Sequence, residues 1–255
     1  MALRIAFDLD GVFADMEGEL VRQAEMLFGE VMTRRLEERA ADNVSAAGSA
    51  DATTDGTVER QTAGEPQAES TPPLLKLNMT QRQQRKLWKH VESIENFWLT
   101  LKEFEPGVLK RLSTIAAERR WEVIFLTKRP ETVGLTAQVQ SQRWLESKGF
   151  TLPSVYVVQG SRGSIAAALG LDIVVDDRPE NCLDVVVDSK ARAILVWRED
   201  QKQLPAAAKR LGIGVVSSVA ECLDILTQVD QASRQSDGML DRVRRLLGLK
   251  EPANA

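Results

Sequence analysis

The chain is poor in the residues that support several common kinds of catalysis. Its 255 residues include a single histidine, His90, and two cysteines, Cys182 and Cys222. One histidine excludes a multi-histidine metal site, and a serine–histidine triad would have to use His90 itself. The two cysteines lack the paired spacing of zinc and redox motifs. We therefore interpret the cysteines as small buried apolar residues and His90 as a structural residue of a helix.

An excess of positive charge and long apolar runs are also lacking. The formal net charge is −4 and the sequence pI is about 5.3, which does not favour binding to a nucleic acid polymer. No apolar run reaches the roughly 20 residues that span a bilayer. The segment Met1–Arg4 leads directly into an apolar strand without a charged signal leader. We therefore expect a cytoplasmic protein that binds neither a membrane nor a nucleic acid polymer.

What the chain does contain is a regular alternation of strand-like and helical segments from Trp121 onward, which predicts a parallel sheet with helices on both faces. The first strand is the apolar run Leu3–Leu9, and the later strands are predicted at Val123–Leu126, Val155–Val158, Ile173–Val175, Ala193–Trp197 and Ile213–Val216. The fold class is therefore α/β, with a Rossmann-like core. The helices between the strands are predicted at Pro130–Lys148, Ser164–Leu169, Glu180–Val187, Pro205–Leu211 and Val219–Leu226.

A helical unit interrupts this core. Apolar residues recur at helical spacing over Phe13–Phe28, and a second helix is predicted at Gln81–Val91. Residues 37–73 contain almost no large apolar side chain, a composition that predicts a disordered linker. We therefore assign residues 1–14 and 105–227 to a discontinuous core and residues 15–104 to an inserted helical cap. Residues 228–255 are predicted to form an amphipathic helix and tail that dock on the core.

Two carboxylates follow the first strand. Asp8 and Asp10 are two residues apart, so they would lie on the same side of a continuing strand, and Gly11 predicts a sharp turn directly after them. Carboxylates at this distance repel each other unless a cation or a shared proton intervenes. Mg²⁺ is a suitable cation because it prefers oxygen ligands. The alternative for this stretch alone is an acidic turn without a ligand.

Other strand ends carry groups that suit phosphate. Strand Val123–Leu126 is followed by Thr127, Lys128 and Arg129, which offer a hydroxyl and two cations. Ile173–Val175 is followed by the acidic pair Asp176–Asp177, and Arg162 precedes the helix that leads into this strand. Ligands of open α/β sheets bind at the carboxyl ends of the strands. A phosphate site is therefore predicted there.

The ordered set Asp8-Leu9-Asp10-Gly11, Thr127, Arg162 and Val174-Val175-Asp176-Asp177 resembles the four motifs of the haloacid-dehalogenase-like hydrolases. The stretches 8–15, 97–98 and 176–181 resemble the deoxyribonucleotidase-type 5′-nucleotidase branch of that superfamily. The resemblance implies a Rossmann-like core with a cap inserted between the first two motifs. It also implies a Mg²⁺-dependent phosphatase that forms an aspartyl-phosphate.

The resemblance implies a role for each matched residue. Asp8 is the expected nucleophile and Asp10 the expected acid and base, while Thr127 binds a phosphoryl oxygen. Asp8, the carbonyl of Asp10, Asp176 and Asp177 are the expected metal ligands. The third motif usually carries lysine, and Arg162 is the best candidate here. Lys128 stays open as the alternative source of that charge.

The substrate is expected to contact the cap. Phe97 and Trp98 are candidates for stacking on a base, and packing between cap and core is the alternative. Lys128 and Arg129 are candidates for contact with substrate phosphate or for the rim of the site, and Gln138, Gln140 and Gln142 are predicted to be solvated. A nucleoside monophosphate is the leading substrate, with a sugar phosphate or other metabolite as an alternative. A phosphate- or nucleotide-binding module without turnover stays open as an alternative function. Formation of a homodimer also stays open.

Overall fold

A computed structural model describes residues 3–47 and 77–235. The chain divides into two compact units, residues 1–16 with 91–255 and residues 17–90. Within its described residues, the first unit contains six parallel strands in the order β3-β2-β1-β4-β5-β6. This sheet, flanked by helices, confirms the predicted α/β fold class. The strands are β1 (Arg4–Asp8), β2 (Glu122–Thr127), β3 (Ser154–Val157), β4 (Ile173–Asp176), β5 (Arg192–Val196) and β6 (Gly214–Val216).

The helices of the first unit connect successive strands, as expected of parallel pairs. Two single-turn 3₁₀ helices, Phe97–Leu99 and Gln201–Gln203, accompany them. Three longer helices, α1 (Met16–Phe28), α2 (Glu30–Ala47) and α3 (Gln81–Glu92), lie between β1 and the Phe97–Leu99 turn in the sequence. The remaining helices are α4 (Val108–Arg119), α5 (Ala137–Ser147), α6 (Arg162–Leu169), α7 (Pro179–Asp188), α8 (Ala206–Arg210) and α9 (Val219–Gln235).

The central position of β1 determines which side chains meet at the edge of the sheet. Phe7 pairs with Phe125 of β2 on one side and with Val175 of β4 on the other. Because these strands are parallel, the carboxyl ends of β2, β1 and β4 lie side by side. Asp8, Thr127 and Asp176, each the last residue of its strand, are therefore brought to one edge.

The two faces of the sheet have different cores. One face packs small and aliphatic side chains, including Ala6, Ala166 and Val185. The other carries aromatic rings: the ring of Phe13 lies 5.5 Å from that of Phe7 and 5.9 Å from that of Phe125. Since side chains alternate along a strand, the adjacent residues Ala6 and Phe7 contribute to opposite faces. The buried rings of the second face support the turn that follows β1.

Both cysteines are buried free thiols, which confirms their interpretation as apolar core residues. Burial raises the pKa of Cys182 and of Cys222 above the ordinary range for thiols. His90 lies in α3, where its Nε2 is 3.1 Å from Oε1 of Gln23. Within the described residues, no helix has the length and apolar character needed to cross a membrane.

Three boundaries differ from the sequence-based assignment. Residues 37–47 of the predicted linker are helical because α2 continues to Ala47, while residues 48–73 lie outside the described residues. The segment 97–104, assigned above to the cap, belongs to the unit that contains the sheet. Trp98 N–H donates to Gln140, Trp144 Nε1 donates to the Leu101 carbonyl, and Phe104 N–H donates to the Phe13 carbonyl. Residues 236–255 of the predicted tail also lie outside the described residues, and α9 extends to Gln235.

Candidate active site

Asp8 at the end of β1 is paired with an arginine. Nη2 of Arg162 donates to Oδ1 of Asp8 at 2.5 Å, and Nε of Arg162 lies 3.6 Å from Oδ2 of Asp176. All three side chains are buried, and Nε of Arg162 has no hydrogen-bond partner among the described residues. Burial and the neighbouring Asp176 raise the pKa of Asp8 well above its usual range, and the Arg162 guanidinium opposes this shift. Arg162 therefore favours the ionised form that a nucleophile needs.

The start of α6 positions Arg162. Ser161 is the N-cap of this helix, and its hydroxyl donates to Oδ2 of Asp184 in α7 at 2.7 Å. The backbone N–H of Gly163 donates to the same oxygen at 3.0 Å. A Cβ at Gly163 would lie 2.3 Å from the backbone oxygen of Asp184, so glycine permits the close approach of the two helices. Although its partial burial acts in the opposite direction, the hydrogen bonds from Gly163 and Ser161 lower the pKa of Asp184.

Asp176 and Asp177 bring two further carboxyl groups to the edge. Oδ1 of Asp176 accepts hydrogen bonds from the Arg178 backbone N–H at 2.9 Å and from the Asn181 amide at 3.0 Å. Burial nevertheless raises the pKa of Asp176. Burial and the adjacent Asp176 raise the pKa of Asp177 to about 8. Burial thus disfavours the ionised forms of both carboxyl groups.

Gly11 makes room for Asp177. It has a φ of +85°, and a Cβ built on it would lie 1.9 Å from Oδ2 of Asp177. The turn is closed by hydrogen bonds from the N–H of Gly11 to the Ala14 carbonyl and from the N–H of Ala14 to the Leu9 carbonyl. A side chain at Gly11 would thus both strain the backbone and displace a carboxyl group of the site.

Asp10 is engaged by a different set of groups. Oγ1 of Thr127 donates to Oδ2 of Asp10 at 2.8 Å. Nε of Arg129 lies within 3.1 Å of both carboxylate oxygens, and Nη2 donates to Oδ1 at 2.7 Å. Thr127 was predicted to bind a phosphoryl oxygen, and Arg129 to contact substrate phosphate or lie at the rim. In the structure both side chains contact Asp10, and the predicted contacts with phosphate stay predictions.

The remaining candidates lie apart from this cluster or within the core. Lys128 is exposed, and no described carboxylate pairs with it, whereas Phe97 and Trp98 are both 0% exposed. Nε1 of Trp98 donates to the Pro130 carbonyl, and the ring of Phe97 packs against it at 4.9 Å. Their burial favours the packing role over stacking on a base.

Sequence reasoning was wrong about Gln140 and missed Arg198. Gln140 was predicted to be solvated but is 0% exposed and accepts the N–H of Trp98. Arg198, after β5, donates to the carbonyls of Gly11 and Val12 and pairs with Glu105 at 2.9 Å. Glu105 in turn accepts the N–H groups of residues 219 and 220 at the start of α9. Only the position of Arg198 at a strand's carboxyl end could have indicated a role.

The carboxylate oxygens at this edge have the chemistry that a hard cation prefers. Their arrangement in the structure is not that of a formed metal site. Within residues 3–47 and 77–235, no three metal-ligating side chains form a coordinating group. However, burial and the charge of Asp176 raise the pKa values of Asp8 and Asp177, so a cation at this edge would stabilise their ionised forms. Mg²⁺ commonly binds through only one or two carboxylates and keeps several waters. The carboxylate chemistry of these residues therefore suits a magnesium ion.

Comparisons with known proteins give a likeness of overall structure only. No protein-family model and no curated protein matches the chain. An L-2-haloacid dehalogenase shares 12% identity at a TM-score of 0.45, covering 89% of this chain and 100% of that one. A HAD family hydrolase from Deinococcus radiodurans R1, with bound phosphate and sodium, shares 15% identity at 0.45 and covers 94% and 97%.

A haloacid dehalogenase-like hydrolase from Streptococcus pneumoniae shares 11% identity at a TM-score of 0.44, covering 88% of this chain and 98% of that one. At such identities and scores, these likenesses carry no argument about the function of this chain. The fold class rests on the topology of the sheet itself.

Substitution of Gly11 by alanine is expected to lower the free energy of unfolding by about 2–4 kcal/mol, from left-handed strain together with displacement of Asp177. Gly107→Ala is a matched control, because Gly107 has the same φ of +85° but no described atom within 4 Å of the place where a Cβ would lie. The control should lose only about 1–2 kcal/mol in denaturant unfolding. Equal losses in the two variants would contradict the proposed role of the Asp177 contact.

Asp184→Asn is expected to lower the melting temperature at neutral pH, because the lowered pKa of Asp184 stabilises the fold where the carboxyl is ionised. This contribution disappears as the pH falls through the folded-state pKa, so the difference from wild type should narrow below about pH 4. Asp224→Asn, which affects an exposed ion pair with Arg111, is the control and should change little. A difference that stays constant from pH 7 to pH 3 would contradict this assignment.

Proposed function

We propose that the chain is a phosphomonoester hydrolase of the haloacid-dehalogenase type that uses Asp8 as its nucleophile. The observation that carries this proposal is the convergence of Asp8, Asp10, Thr127, Arg162 and Asp176 at one edge of the sheet. Asp8, Thr127 and Asp176 end their strands, Asp10 follows β1, and Arg162 begins α6. Arg162 contacts Asp8 and Asp176, while Thr127 contacts Asp10. They are the residues on which the motif resemblance depends.

The chemistry follows from these groups. A carboxylate oxygen of Asp8 attacks phosphorus, the bond from phosphorus to the ester oxygen breaks, and the leaving oxygen takes the electron pair and then a proton. A water molecule next attacks phosphorus of the aspartyl-phosphate, which releases inorganic phosphate and restores Asp8. Asp10 is the proposed proton-transfer group in both steps. Arg162 supplies positive charge beside Asp8, where it favours the ionised carboxylate and would offset the negative charge of the phosphoryl oxygens.

Mg²⁺ is the proposed cofactor. Asp8 and Asp176, the backbone carbonyl of Asp10 and, directly or through water, Asp177 are its proposed ligands. When bound, the ion would offset the charge of the carboxylates and of the substrate phosphate. Support comes from the clustered carboxyl groups, since burial and the charge of Asp176 raise the pKa values of both Asp8 and Asp177.

A nucleoside monophosphate is the leading proposed substrate, with a sugar phosphate or other small metabolite as the alternative. The nucleotide is supported by the resemblance of residues 8–15 and 176–181 to the 5′-nucleotidase branch. Phe97 and Trp98 do not support a nucleotide substrate, because both residues are buried and their rings are not exposed for stacking on a base. The choice between substrates therefore depends on measurement of leaving-group preference.

A binding module without turnover is the second candidate function. It is favoured by Arg162, an arginine where the third motif usually carries lysine, which donates to the proposed nucleophile Asp8. Mg²⁺-dependent phosphate release from nucleoside and deoxynucleoside monophosphates and from sugar phosphates distinguishes the candidates. Release supports the hydrolase, whereas binding of these esters without release supports the module.

Asp8→Asn is expected to lower kcat by about three orders of magnitude or more, since the amide cannot attack phosphorus. The measurement is phosphate release together with trapping of a phosphorylated protein in acid, which only the wild type should show. Asp224→Asn serves as the control for replacement of an exposed aspartate. Retained turnover in Asp8→Asn would exclude Asp8 as the nucleophile.

Comparison of Arg162→Ala with Lys128→Ala determines which cation serves the site. Arg162→Ala should lower kcat by about 100-fold or more, because it removes the charge beside Asp8. Lys128→Ala should change kcat by less than about threefold, because Lys128 is exposed and contacts none of the site carboxylates in the structure. A loss of turnover in Lys128→Ala alone would reverse the assignment.

A further inference from the structure

Arg129 has the environment of a fixed structural cation, although it lies beside the candidate active site. Its side chain is only 1% exposed, and its guanidinium contacts Asp10. We propose that Arg129 is a positioning residue that fixes the orientation of the Asp10 carboxylate for proton transfer. This inference rests on the proposed hydrolase function, because it concerns the same site.

The bonding between Arg129 and Asp10 uses the planar fork of the guanidinium. Nη2 of Arg129 donates to Oδ1 of Asp10 at 2.7 Å, and Nε lies 3.1 Å from Oδ1 and 3.0 Å from Oδ2. Thr127 adds a third donor group on Oδ2 at 2.8 Å. Such a two-pronged contact fixes the plane of a carboxylate as well as its distance. Asp10 is therefore held in one orientation toward any ligand at the edge of the sheet.

Arg129 is itself held from the side away from Asp10. Nη1 donates to Oγ of Ser141 at 2.9 Å, and this hydroxyl donates to the Ala137 carbonyl in the first turn of α5 at 2.7 Å. The guanidinium carbon lies 5.0 Å from the ring centroid of Trp98, a cation–π arrangement. A guanidinium with these contacts has few alternative positions.

The Trp98 ring is anchored in turn. Its indole N–H donates to the Pro130 carbonyl at 3.0 Å, and its backbone N–H donates to the buried Gln140 at 2.9 Å. The Phe97-Trp98 pair, considered above as a base-stacking element, thus supports the cation that orients Asp10. This also explains why a polar Gln140 is retained in the core, where it must find a hydrogen-bond partner.

A kinetic double-mutant cycle tests the proposal, using Arg129→Met, Asp10→Asn and the double variant on the phosphate ester that the wild type hydrolyses best. Arg129→Met should lower kcat by about 100-fold, within the range attributed to acid–base groups, and leave KM within about threefold. In the Asp10→Asn background, the same substitution should have almost no further effect, because Arg129 acts through Asp10. Multiplied losses would overturn the positioning role.

Two variants separate geometry and charge from general effects of substitution. Arg129→Lys keeps the charge but not the fork, so its kcat should fall between those of the wild type and Arg129→Met. Arg143→Met replaces an exposed arginine of α5 that lies outside the site and should retain wild-type kcat. If kcat of Arg129→Lys is as low as that of Arg129→Met, the two-pronged contact rather than the charge orients Asp10, which is still a positioning role. Wild-type kcat in Arg129→Met would overturn the proposal.

Melting temperatures of the wild type, the two single variants and the double variant of the cycle give a second measurement that does not depend on turnover. Each single variant leaves a buried charged partner, so the double variant should lose less than the two single losses added together. Coupling in melting temperature without coupling in kcat would identify a purely structural pair and overturn the positioning role. Absence of wild-type turnover on every ester would instead overturn the proposed function, a different outcome from turnover with multiplied losses.

Discussion

Buried carboxyl groups at the carboxyl edge of the sheet are the constraint on which the rest of the site depends. Asp8, Asp176 and, beside them, Asp10 and Asp177 come together because three neighbouring parallel strands end there. Removing each charge from water costs several kcal/mol unless a partner offsets it. Among the described residues, two arginines are buried, Arg162 and Arg129.

Arg129 and Arg162 reach the edge from opposite sides of β1, and they form different hydrogen bonds with their carboxylate partners. Arg129 follows β2 and engages both oxygens of Asp10, whereas Arg162 starts α6 and donates to one oxygen of Asp8. Asp8 thus keeps an oxygen on which no described arginine donates. This difference suits a fixed role for Asp10 and a reactive role for Asp8.

The sequence pattern predicted the fold well because it depends on local periodicity. The six strands were located to within one residue at each end, since buried parallel strands are short apolar runs between helical segments. Boundaries set by long-range contacts were not predictable in this way. Segment 97–104 joins the sheet unit through bonds to Phe13, Gln140 and Trp144, which lie far away in the sequence.

The residue types of the site could be predicted from the sequence, but the contact partners of each side chain could not. Side-chain alternation does distinguish Lys128 from Arg129: Arg129 is two residues beyond Thr127, so it falls on the side that faces Asp10, and Lys128 falls on the other and is exposed. No local pattern could assign Phe97-Trp98, since stacking on a ligand and packing under a guanidinium require the same aromatic surface. Gln140 was misassigned because a polar residue on a helix resembles a solvated one until its distant partner is known.

Arg198 stabilises the candidate site through backbone groups rather than through the site carboxylates. Its guanidinium donates to the Gly11 and Val12 carbonyls, stacks 4.5 Å from the Phe104 ring and pairs with Glu105. Because Glu105 also accepts two N–H groups of α9, the turn after Asp10 is tied to β5 and to α9. Gly11 leaves no room for a side chain between this turn and Asp177. Arg198 consequently fixes the backbone of the turn at Gly11 and Val12, and Arg129 fixes the side chain of Asp10 directly before that turn, so the two arginines constrain adjacent parts of the same loop.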